Sequence, residues 1–188
     1  MARLKTFREE EVVQKAMELF WEKGYEETSL ADLTDRLGIG KGSFYATFKS
    51  KEALFNRCIE QYTEANFPFL DQELNKQKDF RQALKNLLEA YVEGLLKGDN
   101  RKGCLMANSC SLVHDGDSIV GDRIAQHYQR IEANFMTYLK HNGLSDKRAK
   151  AVSSTIITFL IGASQQSKVN RNKRTYLNTI ENIIHLLD

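Results

Sequence analysis

The sequence predicts an all-α fold of about nine helices, and three observations carry that prediction. Apolar residues recur every three to four positions along most of the chain, and no stretch alternates apolar with polar residues as a strand would. The 188 residues contain a single proline, Pro68, so long helices can run without losing a backbone donor. Serine, threonine and aspartate stand where periodic segments open, and glycine stands where they close.

The first helix opens on Thr6 and Glu9, spaced as a capping box, carries Val13, Ala16, Met17 and Phe20 on one face, and stops at Gly24. Ser29 and Asp32 cap a short second helix with Leu30, Leu33 and Leu37 at helical spacing, closed by Gly38. Gly38-Ile39-Gly40 forms a tight turn whose isoleucine is available to plug a core, and a brief third helix follows over 41–48. Ser50 opens a fourth helix bearing Ala53, Leu54, Cys58 and Ile59, which reaches the region 62–66 before Phe67-Pro68-Phe69 interrupts it. Further helices are expected at 79–97, 104–113, 118–142, 145–170 and 175–187, with polar, glycine-bearing loops at 98–103 and 114–117. The expected division is a domain over 1–49, a connecting helix over 50–66 and a second domain over 67–188.

Twenty-seven Lys and Arg against 25 Asp and Glu leave a net charge of +2, so distribution rather than total decides whether a polyanion is a partner. Three cysteines, Cys58, Cys104 and Cys110, are too few for a disulfide framework, and no leader pattern precedes them, which predicts a cytoplasmic chain. No apolar run approaches a membrane span. The four histidines lie far apart without metal-ligand spacing, so neither a metal nor a cofactor is expected.

Two short helices joined by a three-residue glycine turn have the geometry of a helix-turn-helix, whose second helix enters the major groove of DNA. With Phe44 and Phe48 one turn apart and facing the core, Gly42 and Ala46 point away from it, flanked by Ser43, Tyr45 and Thr47. That small, polar face suits close approach of backbone to DNA, Tyr45 donating to a phosphate and Ser43 or Thr47 reaching base edges. Residues 1–60 hold ten basic and eleven acidic side chains, but the signs are separated. The acids cluster over 9–27, whereas Arg36, Lys41, Lys49, Lys51 and Arg57 surround the third helix, and Arg3, Lys5 and Arg8 form a basic arm.

About 50 consecutive residues carry a specific likeness: Ala16-Met17-Glu18-Leu19-Phe20, Gly24-Tyr25-Glu26-Glu27-Thr28-Ser29-Leu30, Leu37-Gly38-Ile39-Gly40-Lys41-Gly42-Ser43-Phe44-Tyr45 and Phe48-Lys49-Ser50-Lys51-Glu52-Ala53-Leu54. Over this stretch the chain resembles the tetracycline-repressor-like (TetR) family of bacterial transcription regulators. The resemblance implies groove-facing roles for Lys41, Gly42, Ser43, Ala46 and Thr47, and phosphate contacts for Thr28, Ser29, Tyr45 and Lys51. It implies double-stranded DNA with a palindromic operator as partner, a homodimer built by the last two helices, a ligand-responsive second domain, and transmission through the fourth helix. Alanine at 46 departs from the larger residue common at that position and limits base readout to a thymine methyl.

Two apolar stripes fit either a monomer core or a dimer face: Val152, Ile156, Phe159, Leu160 and Ala163, and then Leu177, Ile180, Ile184 and Leu187. The segment Lys102-Gly103-Cys104-Leu105-Met106-Ala107-Asn108-Ser109-Cys110 resembles the Gly-Cys-Leu stretch of a TetR subgroup that includes sensors of electrophiles and reactive chlorine. The segment 162–168, ending in Lys168, resembles the lysine-bearing region of those sensors. A helix start, Lys102 and Lys168 would each favour a thiolate at Cys104, while a free cysteine is more often a small buried hydrophobe. Tyr91, Met106, His127, Tyr128, Phe135, Met136 and Phe159 are candidates for a noncovalent effector cavity, or plain core. The readings that compete with a regulator are a cysteine-dependent enzyme, for which no base or orienting group is found, and a helical scaffold binding partners through its apolar stripes.

Overall fold

The structure, a computed structural model, describes residues 9–75, 78–97, 101–110 and 119–188. Among them the elements are α1 (Glu9–Lys23), α2 (Leu30–Leu37), α3 (Lys41–Phe48), α4 (Lys51–Asn75), α5 (Phe80–Leu96), α6 (Leu105–Ser109), α7 (Ile119–His141), α8 (Asp146–Gln166) and α9 (Lys173–His185). The cap expected at Thr6, the arm of Arg3, Lys5 and Arg8, the stop at Gly98, and residues 111–118 with His114 lie outside the described residues.

The chain divides into two compact units, one of residues 1–65 and 108–124, the other of 66–107 and 125–188. In the first, α1 buries Val12, Val13, Ala16, Met17 and Phe20, the periodic face anticipated from sequence. Phe20 meets Phe55 edge-on at 4.9 Å between centroids, and Tyr25 completes the cluster at 4.8 Å from Phe55. At α2, Ser29 accepts from the Asp32 amide while the Asp32 carboxylate accepts from the Ser29 amide. Gly38 closes the helix at φ 65°, a left-handed conformation that L side chains resist. Lys23 and Ser29 hydrogen-bond the Asp32 carboxylate and hold it far below the usual range.

In the second unit, a continuous core joins Leu84, Leu88 and Val92 of α5 to Phe135 and Leu139 of α7, Val152 and Ile156 of α8, and Tyr176, Ile180 and Ile183 of α9. Arginines close its helix ends: Arg171 donates to the Leu95 carbonyl at 3.3 Å and also to that of Leu96, and Arg148 donates twice to Leu186.

Two expectations are corrected. Pro68 does not interrupt the fourth helix, because α4 runs through it to Asn75. Proline deletes one backbone donor from a 25-residue ladder, and the remaining hydrogen bonds carry the helix past it. The helix expected over 145–170 ends at Gln166, where Ser167 turns its hydroxyl back to the Ser164 carbonyl at 2.8 Å. Lys168 therefore lies in the turn after α8, not on the helix.

His127, on α7, is buried with its ring 5.3 Å from Tyr128. Burial, and then the nearby Arg130, lower its pKa to about 4. The unfolded chain takes up a proton near the ordinary histidine value, while folded His127 refuses one until about pH 4. Stability is therefore expected to fall as pH drops through that window, and His127→Gln should remove this part of the fall. Urea midpoints of both chains between pH 7 and pH 4 check it; equal changes would show that His127 contributes nothing.

Candidate nucleic-acid interface

The third helix presents the face that the wheel predicts. Phe44 and Phe48 are 0% and 2% exposed, packed ring to ring at 5.6 Å, and anchor α3 into the first unit. Lys41, Gly42, Ser43, Tyr45 and Ala46 are exposed and Thr47 is half-buried. Tyr45 is held edge-on by Phe44, with half of its surface left open. A Cβ built on Gly42 meets nothing within 4 Å, so the backbone of α3 is itself part of the open face.

The hydroxyls and cations expected around this face divide into open and committed groups. Ser29 stays exposed at the N-terminus of α2, where the helix dipole favours an anion, but its hydroxyl is engaged in the capping box, donating to the Asp32 carboxylate at 2.6 Å and accepting from the Asp32 amide at 3.1 Å. Thr28 is a correction: it is fully buried, its hydroxyl donating to the Gly24 carbonyl at 2.5 Å, so that hydroxyl closes a turn instead of reaching a phosphate. Lys51 is half-buried. Its ammonium donates to the carbonyls of Tyr25 at 2.9 Å and Thr28 at 3.0 Å, and lies 4.3 Å from the centre of the Tyr25 ring. Lys49 donates to the Ala46 carbonyl at 3.1 Å, capping α3. Arg36 pairs with Glu22 at 3.6 Å and Arg57 with Glu9, which moderates the basic rim read from sequence. Lys41 stands exposed at the first position of α3.

The effector candidates are partly brought together. Gly103, at φ 66°, lies against α8, and the Cys104 amide donates to the Ser164 hydroxyl at 2.7 Å. Tyr91 donates to the Leu160 carbonyl at 2.9 Å. Burial first, and the neighbouring Cys104 second, push its hydroxyl well above the ordinary phenol range, while a hydrogen bond from Ser164 opposes them. Lys168 donates to Gln165 at 3.0 Å, and partial burial lowers its pKa. A Cβ on Gly103 would lie 3.2 Å from Cε of Lys168, which places the lysine stem beside this segment. The helix start expected to favour a thiolate is a correction: α6 is five residues long and begins at Leu105, so its dipole is small. Met106 is wholly buried, and Phe159 lines an open groove between α8 and α9 with Thr158 and Thr179.

The dimer candidates also separate. Val152, Ile156, Ala163 and Ile180 are buried within their own protomer, a correction that follows from α5 and α7 covering that side of both stripes. Phe159, Leu160, Leu177 and Ile184 remain partly exposed. Sequence reasoning assigned no role to Tyr25 or Ser164. Nothing local marks Ser164, which shares the buried face of α8 with a second buried serine, Ser153, or Tyr25, the seat for a distant ammonium.

A short helix anchored by two phenylalanines and open along its small, polar side defines a helix-turn-helix protein built to read duplex DNA. Residues 12–58 match the family model of bacterial regulatory proteins of the tetR family, and 81–182 match the C-terminal domain model of LmrA/YxaF-like transcriptional regulators. The chain belongs to the TetR family of bacterial transcriptional regulators. The HTH-type transcriptional repressor BdcR of Escherichia coli K12 is 30% identical over 168 residues, 88% of this chain and 82% of that protein. The repressor ComR of the same strain is 29% identical, the alignment covering 73% of this chain and 66% of ComR. A cysteine mutant of the TetR family regulator CifR complexed with 26-base-pair double-strand operator DNA superposes at a TM-score of 0.84 with 25% identity, over 97% of this chain and 98% of CifR. The reduced form of E. coli NemR, at 19% identity, a TM-score of 0.78 and coverage of 92% and 94%, shares the fold. Among the described residues no helix is long and apolar enough to cross a membrane.

Proposed function

We propose that this chain is a cytoplasmic homodimeric repressor that grips a palindromic operator with α3 of each protomer and lets go when its second unit is occupied by a small molecule or modified at a cysteine. The carrying observation is the exposed face of α3, with Lys41, Gly42, Ser43, Tyr45, Ala46 and Thr47 around a helix fixed by buried Phe44 and Phe48. Tyr45 donates to a phosphate, Ser29 reaches one by turning its hydroxyl from the Asp32 carboxylate, and Lys41 adds a cation at the groove edge. The likeness to BdcR, ComR and operator-bound CifR supports this reading. The working division is a DNA-binding domain over 1–49, a connecting α4 over 50–66 and an effector and dimerisation domain over 67–188. Of the dimer candidates, Phe159, Leu160, Leu177 and Ile184 face the partner protomer.

A salt-dependent mobility shift with the chain's own promoter region tests DNA binding, because releasing counterions from phosphate steepens the loss of affinity with salt. Tyr45→Phe is expected to weaken binding about fivefold to tenfold, the worth of one phosphate hydrogen bond, without lowering the thermal midpoint. Unchanged affinity would take Tyr45 out of the interface.

Cys104 is the candidate trigger, because Gly103 seats its segment against Ser164 and beside Lys168, with Tyr91 facing the thiol. Treatment with a mild electrophile or hypochlorite is expected to modify Cys104 and release the operator, with Cys104→Ser insensitive. An unmodified Cys104 in intact-mass analysis, or retained DNA affinity after modification, would leave a noncovalent effector as the trigger.

A further inference from the structure

We propose that Tyr91 transmits the state of Cys104 to α8: its hydroxyl ties α5 to the Leu160 carbonyl while the sulfur is neutral, and turns away to donate to an anion formed there. This rests on the reading above that Cys104 is the trigger. The tie is direct, Tyr91 donating to Leu160 at 2.9 Å. A phenol has one proton to give. The same hydroxyl lies within hydrogen-bonding reach of Cys104 and of Ser164, one helical turn beyond Leu160 on α8. The Cys104 amide donates to the Ser164 hydroxyl at 2.7 Å, and the close approach of Gly103 to Ser164 seats the segment there.

Several acceptors therefore compete for one proton, and charge decides between them. A neutral thiol accepts weakly, so the proton goes to the carbonyl, whereas hydrogen bonds to an ionised acceptor are roughly twice as strong. Burial keeps the phenol itself protonated, so it remains a donor and does not take up the charge. Hypochlorous acid produces the anion: the sulfur attacks chlorine, hydroxide leaves, and water displaces chloride. Net, Cys–SH and HOCl give Cys–SO−, Cl− and two protons, the sulfur losing two electrons and the chlorine gaining them. Once the hydroxyl turns about its C–O bond toward the sulfenate, its oxygen and that of Leu160 face each other at 2.9 Å with no hydrogen between, and they repel. The two helices part at Leu160, beside Phe159 on the side of α8 assigned above to the partner protomer. The anion gains its hydrogen bond only in the untied arrangement, which is the differential that coupling to the operator requires.

Tyr91→Phe keeps the ring and removes only the hydroxyl, and Cys104→Asp supplies a fixed negative charge without an oxidant. With Tyr91 intact, stoichiometric hypochlorite or Cys104→Asp is expected to lower operator affinity about tenfold in the mobility shift. Tyr91→Phe is expected to start near that lowered affinity and to change by less than about threefold with either, although peptide mapping finds Cys104 oxidised to the same extent. A side chain that served packing alone would lower affinity and leave the response intact; that result overturns the proposal and leaves Lys168 as the donor that reads the anion. In DNA-free protein, amide exchange over residues 160–166 is expected to quicken about tenfold when wild type is oxidised, and to be already quick and unresponsive in Tyr91→Phe. Exchange in wild type that ignores an oxidised Cys104 overturns the proposal equally. If hypochlorite leaves Cys104 unmodified, the trigger reading fails while the aspartate pair still decides the proposal; if the aspartate chain does not fold, the hypochlorite pair decides it. A wild-type chain that shifts no promoter fragment even at low salt sinks the DNA-binding reading, and amide exchange then decides alone.

Discussion

Replacing Gly42 with glutamate is expected to abolish operator binding, by about a hundredfold or more, while leaving the free chain at least as stable as before. Gly42 lies in the first turn of α3, exposed, and a side chain there meets no atom within 4 Å. A helical glycine costs about 0.5–1 kcal/mol relative to alanine, and an acidic residue near a helix N-terminus is favourable, so the free fold tolerates the change. In the complex the same position is where backbone and DNA approach. A carboxylate there would have to be desolvated against base edges and phosphates of its own sign, a cost of several kcal/mol. Mobility shifts alongside thermal unfolding read both halves. Binding within about threefold of wild type would show that this face of α3 does not enter the groove. Gly42→Ala, smaller and neutral, should lose far less affinity.

Gly103→Ala is expected to destabilise the second unit by about 2–4 kcal/mol, the sum of a left-handed backbone strain and a steric clash. The backbone sits at φ 66°, and the added Cβ would lie 2.9 Å from the Ser164 hydroxyl and 3.0 Å from the Ser164 carbonyl. Because Ser164 is buried on α8 and its hydroxyl accepts from the Cys104 amide, neither partner can retreat without losing that hydrogen bond. The segment carrying Cys104 would lift from α8, and with it the seating of the candidate trigger. Urea denaturation gives the magnitude; a loss below about 1 kcal/mol would mean that the contact relaxes cheaply. Ser164→Ala removes the acceptor without the clash, so it should cost less than Gly103→Ala.

The outcome for individual residues shows what kind of information each level holds. Phe44 and Phe48, spaced one helical turn apart, are buried as the wheel requires, and Ser29 with Asp32 forms its capping box as spelled. Those signals are local, acting over three or four residues, and the backbone geometry that they specify is the same in any context. Pro68 carries only a local penalty, and the ladder of α4 continues through it. The motif implies phosphate contacts for Lys51 and Thr28. Their atoms are committed to Tyr25, Glu26 and Gly24, and only folding brings a lysine near such partners 23 to 26 positions away.

By itself, then, the sequence determined an all-helical chain, a helix-turn-helix near one end, the outward face of α3 and membership of a regulator family. Periodicity and caps write these features in short words of the chain. The tertiary structure alone decided which cations are open and which are spent, which half of each apolar stripe is core, and that Gly103 sits hard against Ser164. Those choices depend on which side chains distant segments bring within hydrogen-bonding or van der Waals reach, and a linear pattern holds no record of that distance.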